Sequence, residues 1–248
     1  MKTEILYGIN PVFEAIKAGK RKVFQIYIAE NKTSGRIPKV VKFADSKKIP
    51  LKKVAATQLK SIAGTGQHQG ISAKVNPYPM AGLSDITEIK PGKDNNLFVL
   101  LLDNVLDPQN LGAIIRTALG VGINGIILPK DRSAMPTPAV SKASAGAMEH
   151  ARLIRVTNMV DTIKILKQQG AWVVGLDREA EKTVYASDLS GSLAIVIGGE
   201  EKGIRPLVKK NCDFMVSIPQ TGQVNSLNAS VAAAVAMYEA FRQRGIVK

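Results

Sequence analysis

The sequence predicts an α/β protein whose main sheet is mostly parallel and carries helices on both faces. Short apolar strand candidates alternate with helix candidates along most of the 248 residues, the order that is typical of a covered parallel sheet. The run "LFVLLLD" at 97–103 is apolar until its last residue, as expected for a parallel strand buried on both faces. A hydrophobic content of 45% is enough for an ordinary globular core.

Residues 1–75 predict a small α/β domain of their own. Asn10-Pro11 predicts a helix N-cap followed by proline at the first helical position. We predict Tyr7, Phe13, Phe24 and Tyr27 to lie mostly in the core. The strand candidates are "KVFQIYIA", "PLKKV" and "GISAKV", and the helix candidates are "PVFEAIKAG", "RIPKVVKFADSKK" and "TQLKSIAG".

Residues 76–96 contain three prolines and two glycines, which indicates an interdomain linker. Residues 97–248 then predict a larger α/β domain. Its later strand candidates are "GIILP", "ARLIRV", "AWVVGLD", "SLAIVIGG" and "FMVSIP". Its helix candidates are "PQNLGAIIRTALGVG", a Ser/Ala-rich segment from about Pro138, "NMVDTIKILKQQG", a short helix near "IRPLVKK", and a final helix. That final helix has no charge between Asn228 and Met237, which favours burial on several sides.

The charge of the chain is strongly positive and unevenly spread. The net charge is +14, and residues 1–93 hold 17 Lys+Arg against 6 Asp+Glu. A basic front part beside a nearly balanced second part indicates a polyanion-binding module joined to a chemical one. A lysine-rich surface that serves solubility or heat resistance is the alternative on charge alone.

Several classes of protein are disfavoured by what the sequence lacks. One cysteine and two histidines leave no internal disulfide and make a structural zinc site a poor prediction. No apolar run reaches the length of a membrane span, and the first residues do not resemble a signal peptide. We therefore expect a cytoplasmic protein without a metal. GxGxxG after a strand, GxxxxGK[ST] and GxSxG are absent as well.

Three segments follow predicted strands, at the sheet edge where α/β proteins bind ligands. They are "DNVLDPQNLGAIIRTA" at 103–118, "IGGEEKGIRP" at 197–206, and "IPQTGQVNSLNASV" at 218–231. Each has a plain structural alternative. Asn110 would cap a helix while Arg116 reaches solvent, the glycines would form an ordinary turn, and Ser226 or Asn228 would cap the last helix.

Together, the three segments resemble the motifs of the SpoU-type (TrmH-type) RNA ribose 2′-O-methyltransferases of the SPOUT superfamily. Asn110, Gly112 and Arg116 match N-x-G-x-x-x-R, and Gly198, Glu200 and Gly203 match G-x-E-x-x-G. The third motif is matched by Ile218, Pro219, Ser226, Leu227, Asn228, Ser230, Val231 and Ala232. Gln220 and Ala229 depart from it, since methionine and valine are common there.

The front part is similar to the ribosomal-protein-L30e-like RNA-binding domain of that family. "YGINPVFEAI" and "HQGISA" resemble segments of the bacterial members that methylate a guanosine of 23S rRNA. The resemblance implies domains at 1–75 and 97–248, a deep trefoil knot in the second, and a homodimer. It also implies S-adenosylmethionine as methyl donor. The residues implied to bind it are Gly198, Gly199, Ile218, Leu227 and Leu128.

The resemblance further implies that Arg116 is catalytic, with Asn110, Glu200, Ser226 and Asn228 as the other active-site residues. A guanidinium keeps its proton at neutral pH. Our hypothesis is therefore that Arg116 binds the target phosphate and stabilises a developing alkoxide, while the phosphate or a water takes the proton. Two alternatives stay open: the same reaction on tRNA, and a non-catalytic RNA-binding or ribosome-assembly protein.

Overall fold

The computed structural model describes residues 2–30, 35–91, 96–222 and 226–245, so residues 92–95 of the predicted linker lie outside the described residues. The strands are β1 (Glu4–Tyr7), β2 (Val23–Ala29), β3 (Leu51–Val54), β4 (Ile71–Val75), β5 (Phe98–Asp103), β6 (Gly125–Pro129), β7 (Leu153–Val156), β8 (Trp172–Leu176), β9 (Leu193–Gly198) and β10 (Phe214–Val216). The helices are α1 (Ile9–Ala18), α2 (Ile37–Ser46), α3 (Ala56–Ala63), α4 (Pro108–Gly120), α5 (Pro138–Ala143), α6 (Met159–Gln168), α7 (Pro206–Asn211) and α8 (Ala229–Gln243).

The chain divides into two compact units. Unit 1 comprises Met1–Pro79 and Met135–His150, and unit 2 comprises Met80–Ala134 and Ala151–Lys248. The segment Met135–His150, which carries α5, thus packs in unit 1 although it follows β6 of unit 2. The boundaries at 1–75, 76–96 and 97–248 stay a prediction.

Unit 1 is built on a four-stranded sheet in the order β1-β4-β2-β3. β4 is antiparallel to β1 and β2, while β2 and β3 are parallel. Its main core lies between this sheet and the helices α1 and α2, where Leu6, Val12, Ile26 and Val40 are buried. The smaller helix α3 packs Leu59 against Ala29 and Val54.

Two sequence predictions about unit 1 are wrong in detail. Asn10 is not the N-cap of α1, because the helix begins at Ile9 after Gly8, whose φ of 97° suits glycine. The Gln69 side-chain oxygen accepts from the Ile9 backbone N–H at 3.2 Å. The four aromatic residues predicted to lie mostly in the core are all only half-buried, although Phe13 and Tyr27 pack against the two core clusters of unit 1.

Unit 2 confirms the predicted parallel sheet. Its six strands lie in the order β10-β8-β9-β5-β6-β7, and every neighbouring pair is parallel. Val99 and Leu101 of β5 pack into a cluster with Ile163 of α6 and Val208 of α7. Alternate residues of a strand point to opposite faces, so the equally buried Leu100 and Leu102 show that the other face is covered too. The trefoil knot stays a prediction.

The last helix is buried on several sides, as its composition predicts. α8 packs against α4 and β9 and buries Ala229, Ala233 and Ala236. Only Val231, Tyr238 and Arg242 of its fifteen residues are exposed, and they form one narrow stripe. Among helices of the described residues, none combines the length and apolarity needed to span a membrane.

Candidate active site

The amino-terminal end of α4 positions Asn110, the first residue of the first motif. Asp107 caps this helix, because its carboxylate accepts from the backbone N–H groups of Gln109 and Asn110 at 3.2 and 3.1 Å. The plain alternative, in which the Asn110 side chain is the cap, is therefore wrong. The Asn110 side chain is left to bond elsewhere: its Nδ2 donates to Glu200 Oε1 at 3.0 Å.

Asn228 is the N-cap of α8 and also joins the other two motifs. Its Oδ1 accepts from the Ser230 backbone N–H at 2.9 Å, as a capping side chain does. Its Nδ2 donates to Asn110 Oδ1 at 2.9 Å and to Glu200 Oε1 at 2.5 Å. The structure thus brings Asn110, Glu200 and Asn228 from three separate motifs into one hydrogen-bonded triangle.

The second motif needs its glycines because the backbone folds back on itself. A Cβ on Gly198 would lie 2.2 Å from the carbonyl carbon of Gly203 and 2.4 Å from the Ile204 nitrogen. One on Gly199 would lie 2.1 Å from the Asn104 carbonyl oxygen. A Cβ atom cannot lie so close to backbone atoms. Only glycine can therefore occupy positions 198 and 199 of the tight loop that carries Glu200.

An ion pair between buried Asp103 and half-exposed Arg205, which the sequence analysis missed, holds the same loop to β5. Asp103 is fully buried, and its carboxylate accepts from the Arg205 backbone N–H at 2.8 Å, from Nε at 2.8 Å and from NH2 at 2.7 Å. A buried carboxylate requires such partners. The sequence did contain a signal for this ion pair. An acid ends the otherwise apolar run at 97–103, and an acid that is buried implies a cation nearby.

A cavity of about 630 Å³ opens beside the triangle at the carboxyl ends of β8, β9 and β10. Four of the predicted cofactor-binding residues line it, together with Glu200 and Ser226: Gly198, Gly199, Ile218 and Leu227. The fifth, Leu128, is fully buried within β6 and is not among its lining residues. Leu128 therefore does not contact this cavity, and its predicted role in binding the cofactor stays a prediction.

A second cavity, of about 640 Å³, lies on the other side of the same loop. Asn110, Arg132 and Arg205 line it, and Gly199 to Lys202 line both cavities. Arg132 adopts a positive φ of 56°, an uncommon conformation for a non-glycine residue. Glu200 therefore stands between the two cavities. Lys202 lines both of them, Arg178 and Lys209 line only the first, and Arg132 and Arg205 line only the second.

Two predicted catalytic residues lie outside the triangle: Ser226, which lines the first cavity, and Arg116. Arg116 is the one that the chain brings to neither cavity. It lies in the third turn of α4 and is exposed. Six helical residues separate it from Asn110, so the two side chains leave α4 in different directions. Within the described residues, no hydrogen bond or ion pair is formed by its guanidinium.

The two histidines belong to unit 1, whereas the three motifs belong to unit 2. His150 Nε2 bonds Glu14 at 2.7 Å and His68 Nδ1 accepts from the Gly70 backbone N–H at 3.0 Å, both within unit 1. Burial, with the nearby Lys60 charge, lowers the pKa of His68. In the described ranges, no group of three His, Cys, Asp or Glu side chains is arranged to hold a metal ion.

Comparison with known proteins defines the class. A model of the SpoU rRNA Methylase family matches residues 97–238, and one described as RNA 2′-O ribose methyltransferase substrate binding matches residues 5–81. The chain belongs to the SpoU rRNA methylase family.

Individual relatives extend over the whole chain. It is 42% identical over 244 residues to the putative TrmH family tRNA/rRNA methyltransferase YacO of Bacillus subtilis, covering 98% of this chain and 97% of that protein. It is 38% identical over 243 residues to the 23S rRNA (guanosine-2′-O-)-methyltransferase RlmB of Pseudomonas putida, covering 98% of each. The SpoU methyltransferase AviRb of Streptomyces viridochromogenes, solved with AdoMet, shares the fold, with a TM-score of 0.81 at 24% identity over 97% of this chain and 90% of AviRb.

Proposed function

We propose that this protein transfers a methyl group from S-adenosylmethionine to the ribose 2′-hydroxyl of a guanosine in 23S rRNA. The observation that carries the proposal is the triangle of Asn110, Glu200 and Asn228, which stands between two cavities large enough for small molecules. Family membership supports the reaction class, and the name of the Pseudomonas putida relative supports the substrate. An RNA substrate also favours the expected cytoplasmic location.

The first cavity suits the methyl donor. Its volume lies within the roughly 300–1,000 Å³ of small-molecule sites, and it sits at the strand ends where α/β sheets bind nucleotides. Gly198, Gly199, Ile218 and Leu227 would hold the donor through main-chain groups and apolar contact. When bound, S-adenosylmethionine supplies an activated methyl group.

The second cavity suits the RNA nucleotide that is modified. Arg132, Arg205 and Lys202 line it, and such cations bind phosphate oxygens. Glu200 and Asn110 reach this cavity from the triangle, where they would orient the ribose. By holding the hydroxyl close to its reaction partner and excluding water, these residues would contribute to the rate of such a displacement.

Arg116 acts, in this proposal, across a homodimer. It is exposed on α4, three residues before the half-exposed Leu119, and the exposed face of α8 lies beside that end of α4, since the Tyr238 hydroxyl approaches Gly120. Pairing of two such faces would bury them and carry Arg116 of each chain toward its neighbour. There it would bind the target phosphate and stabilise the developing alkoxide, so Arg116→Lys is expected to retain little activity, because a point charge cannot copy the two-pronged contact.

Transfer of labelled methyl to rRNA and tRNA in parallel, followed by mapping of the modified ribose, tests the proposal. Label in a guanosine of 23S rRNA is the expected result. Label in tRNA alone would establish the tRNA reaction, which the name of the Bacillus subtilis relative includes. RNA binding without S-adenosylmethionine binding would instead establish a non-catalytic protein.

A further inference from the structure

A groove between α1 and α2 in unit 1 has no part in the chemistry proposed above. It has a volume of about 380 Å³ and is called the α1–α2 groove below. Lys17 and Phe13 line it from α1, and Arg36 and Lys39 line it from the start of α2. Its size is at the lower end of that of ligand-binding pockets, and three of its side chains are cationic.

The α1–α2 groove is lined by three cations and one acid, Glu14. Within the described residues, Lys17, Arg36 and Lys39 form no salt bridge, and the one acid of the groove, Glu14, is engaged by His150 Nε2 at 2.7 Å. Arg36 NH1 donates to Asn10 Oδ1 at 3.4 Å, which leaves its other N–H groups for a ligand. Such a set of donors is complementary to phosphate.

An aromatic surface lies among these cations. The half-buried Phe13 ring is 5.6 Å from the Phe43 ring, and Lys39 Nζ lies 5.6 Å from the Phe13 centroid. Lys47 Nζ lies 6.0 Å from the Phe43 centroid. Aromatic rings interleaved with cations are what single-stranded nucleic acid requires, since bases stack on the rings while phosphates bind the cations.

We infer that the α1–α2 groove binds one unstacked nucleotide of the RNA substrate, with its base against Phe13 and its phosphates on Lys17, Arg36 and Lys39. The inference rests on the proposed function in taking RNA as the substrate, and it adds a site away from the triangle. A base within an A-form duplex is hidden from such a groove. Single-stranded RNA is therefore the ligand it selects.

A charge-matched pair of variants tests the phosphate contacts. Binding of a labelled single strand of about 12 nucleotides, within the range of such sites, is measured for the full-length chain by fluorescence anisotropy. Lys17→Gln/Lys39→Gln is compared with Lys52→Gln/Lys53→Gln, which removes the same charge from exposed residues of β3. The groove pair is expected to weaken binding about tenfold more, and to reduce the slope of log K against log salt by about 1.4. Equal losses in the two variants would overturn the inference.

Phe13→Leu tests stacking while keeping apolar contact with the core. It is expected to weaken binding about tenfold with an unchanged salt slope, because the lost contact is not ionic. Phe24→Leu is the matched control, since Phe24 is also half-buried beside a lysine, Lys22, but lies outside the groove. Three outcomes would contradict the inference. They are RNA binding that is unchanged in Phe13→Leu, duplex RNA that binds as tightly as the single strand, and full competition by poly-glutamate.

Methyl transfer measured on the same proteins separates the two proposals. A wild-type chain whose RNA binding depends on the groove but which transfers no methyl refutes the proposed function alone. A chain that transfers methyl while the groove variants bind RNA like the controls refutes this inference alone.

Discussion

At the scale of single residues, Glu200 is the acceptor on which the three motifs meet. Its Oε1 accepts from Asn110 Nδ2, Asn228 Nδ2 and the Ala229 backbone N–H, at 3.0, 2.5 and 3.4 Å. A single oxygen that serves three donors fixes the relative positions of α4, α8 and the glycine loop. The pair of Asp103 and Arg205 fixes the loop from its other end.

Glu200→Ala is expected to lower methyl transfer by about 100-fold. Removing the shared acceptor lets Asn110 and Asn228 move, and a displacement of about 1 Å in a site of this kind costs that much rate. Some loss of stability is also expected, because the Nδ2 of the buried Asn110 loses its acceptor. Glu181→Ala, an exposed acid of unit 2 outside both cavities, is the control. A Glu200 variant as active as that control would contradict the role assigned here.

The residues of the triangle could be predicted from the sequence, but the contact between Asp103 and Arg205, which holds the loop that carries Glu200, could not. Asn110, Glu200 and Asn228 lie in recognisable motifs after predicted strands, and parallel strands bring their carboxyl ends to one edge. Asp103 and Arg205 are 102 residues apart, and only the unmet need of a buried carboxylate hinted at their contact. The sequence left two positions open for Arg116, the active site and the solvent, because periodicity places a residue on a helix face without saying what covers that face.

At the scale of elements, the segment carrying α5 shows how a tertiary contact overrides chain order. Its local pattern continues the α/β alternation of unit 2, yet it packs in unit 1. There, buried Glu149 contacts Arg21 NH1 at 3.4 Å and accepts from the Ser141 hydroxyl at 2.8 Å. Arg21 and Glu149 are 128 residues apart, a separation at which composition and periodicity give no signal.

Gly146→Ala is expected to destabilise the protein by about 1–3 kcal/mol more than Gly19→Ala. Both glycines have a positive φ, 86° and 65°, so both variants carry a similar backbone cost of about 1 kcal/mol. Only at Gly146 would the new Cβ also lie 2.8 Å from the Asn10 carbonyl oxygen and 2.9 Å from Glu14 Cγ. Urea unfolding measures the difference, and equal losses would show that the turn is not crowded.

Glu149 should also make stability depend on pH. Burial raises the pKa of this carboxyl, against the opposing effects of Arg21 and Ser141, and its Oε2 finds no hydrogen-bond partner among the described residues. The folded state then holds the proton more tightly than the unfolded state. The stabilisation is fully present below the ordinary glutamate pKa, about 4.3, and is lost as pH rises through the folded value.

Glu149→Gln therefore should cost most stability at low pH and less as pH rises, because glutamine cannot lose a proton. Urea unfolding from about pH 4, below the ordinary glutamate pKa, to neutrality measures this trend. Glu30→Gln, an exposed acid of the same unit, should show no such trend. A cost for Glu149→Gln that is constant or grows with pH would mean that the carboxyl is ionised throughout.

At the scale of the whole molecule, the half-exposed apolar residues of α4 and α8 need an explanation. Leu119, Val231 and Tyr238 are 42%, 47% and 55% exposed, and the Tyr238 ring packs edge-on against Phe241 at 6.2 Å. α8 is buried on several sides, as the sequence predicts, and Val231 and Tyr238 lie on its one exposed stripe. A second copy that covers this stripe would bury its apolar residues, and would bring Arg116 to a second chain.

Tyr238→Asp is accordingly expected to weaken a homodimer by at least about 30-fold, since a charge would replace a central aromatic contact. Sedimentation equilibrium measures the change, and Leu207→Asp, at a 63% exposed residue of α7, is the control.

The role of Arg116 is then tested by mixing Arg116→Ala and Glu200→Ala chains, each inactive alone. If Arg116 serves the neighbouring chain, each mixed dimer regains one intact site, and a random mixture should recover about a quarter of wild-type activity. If Arg116 serves its own chain, every site in the mixture stays defective and no activity returns.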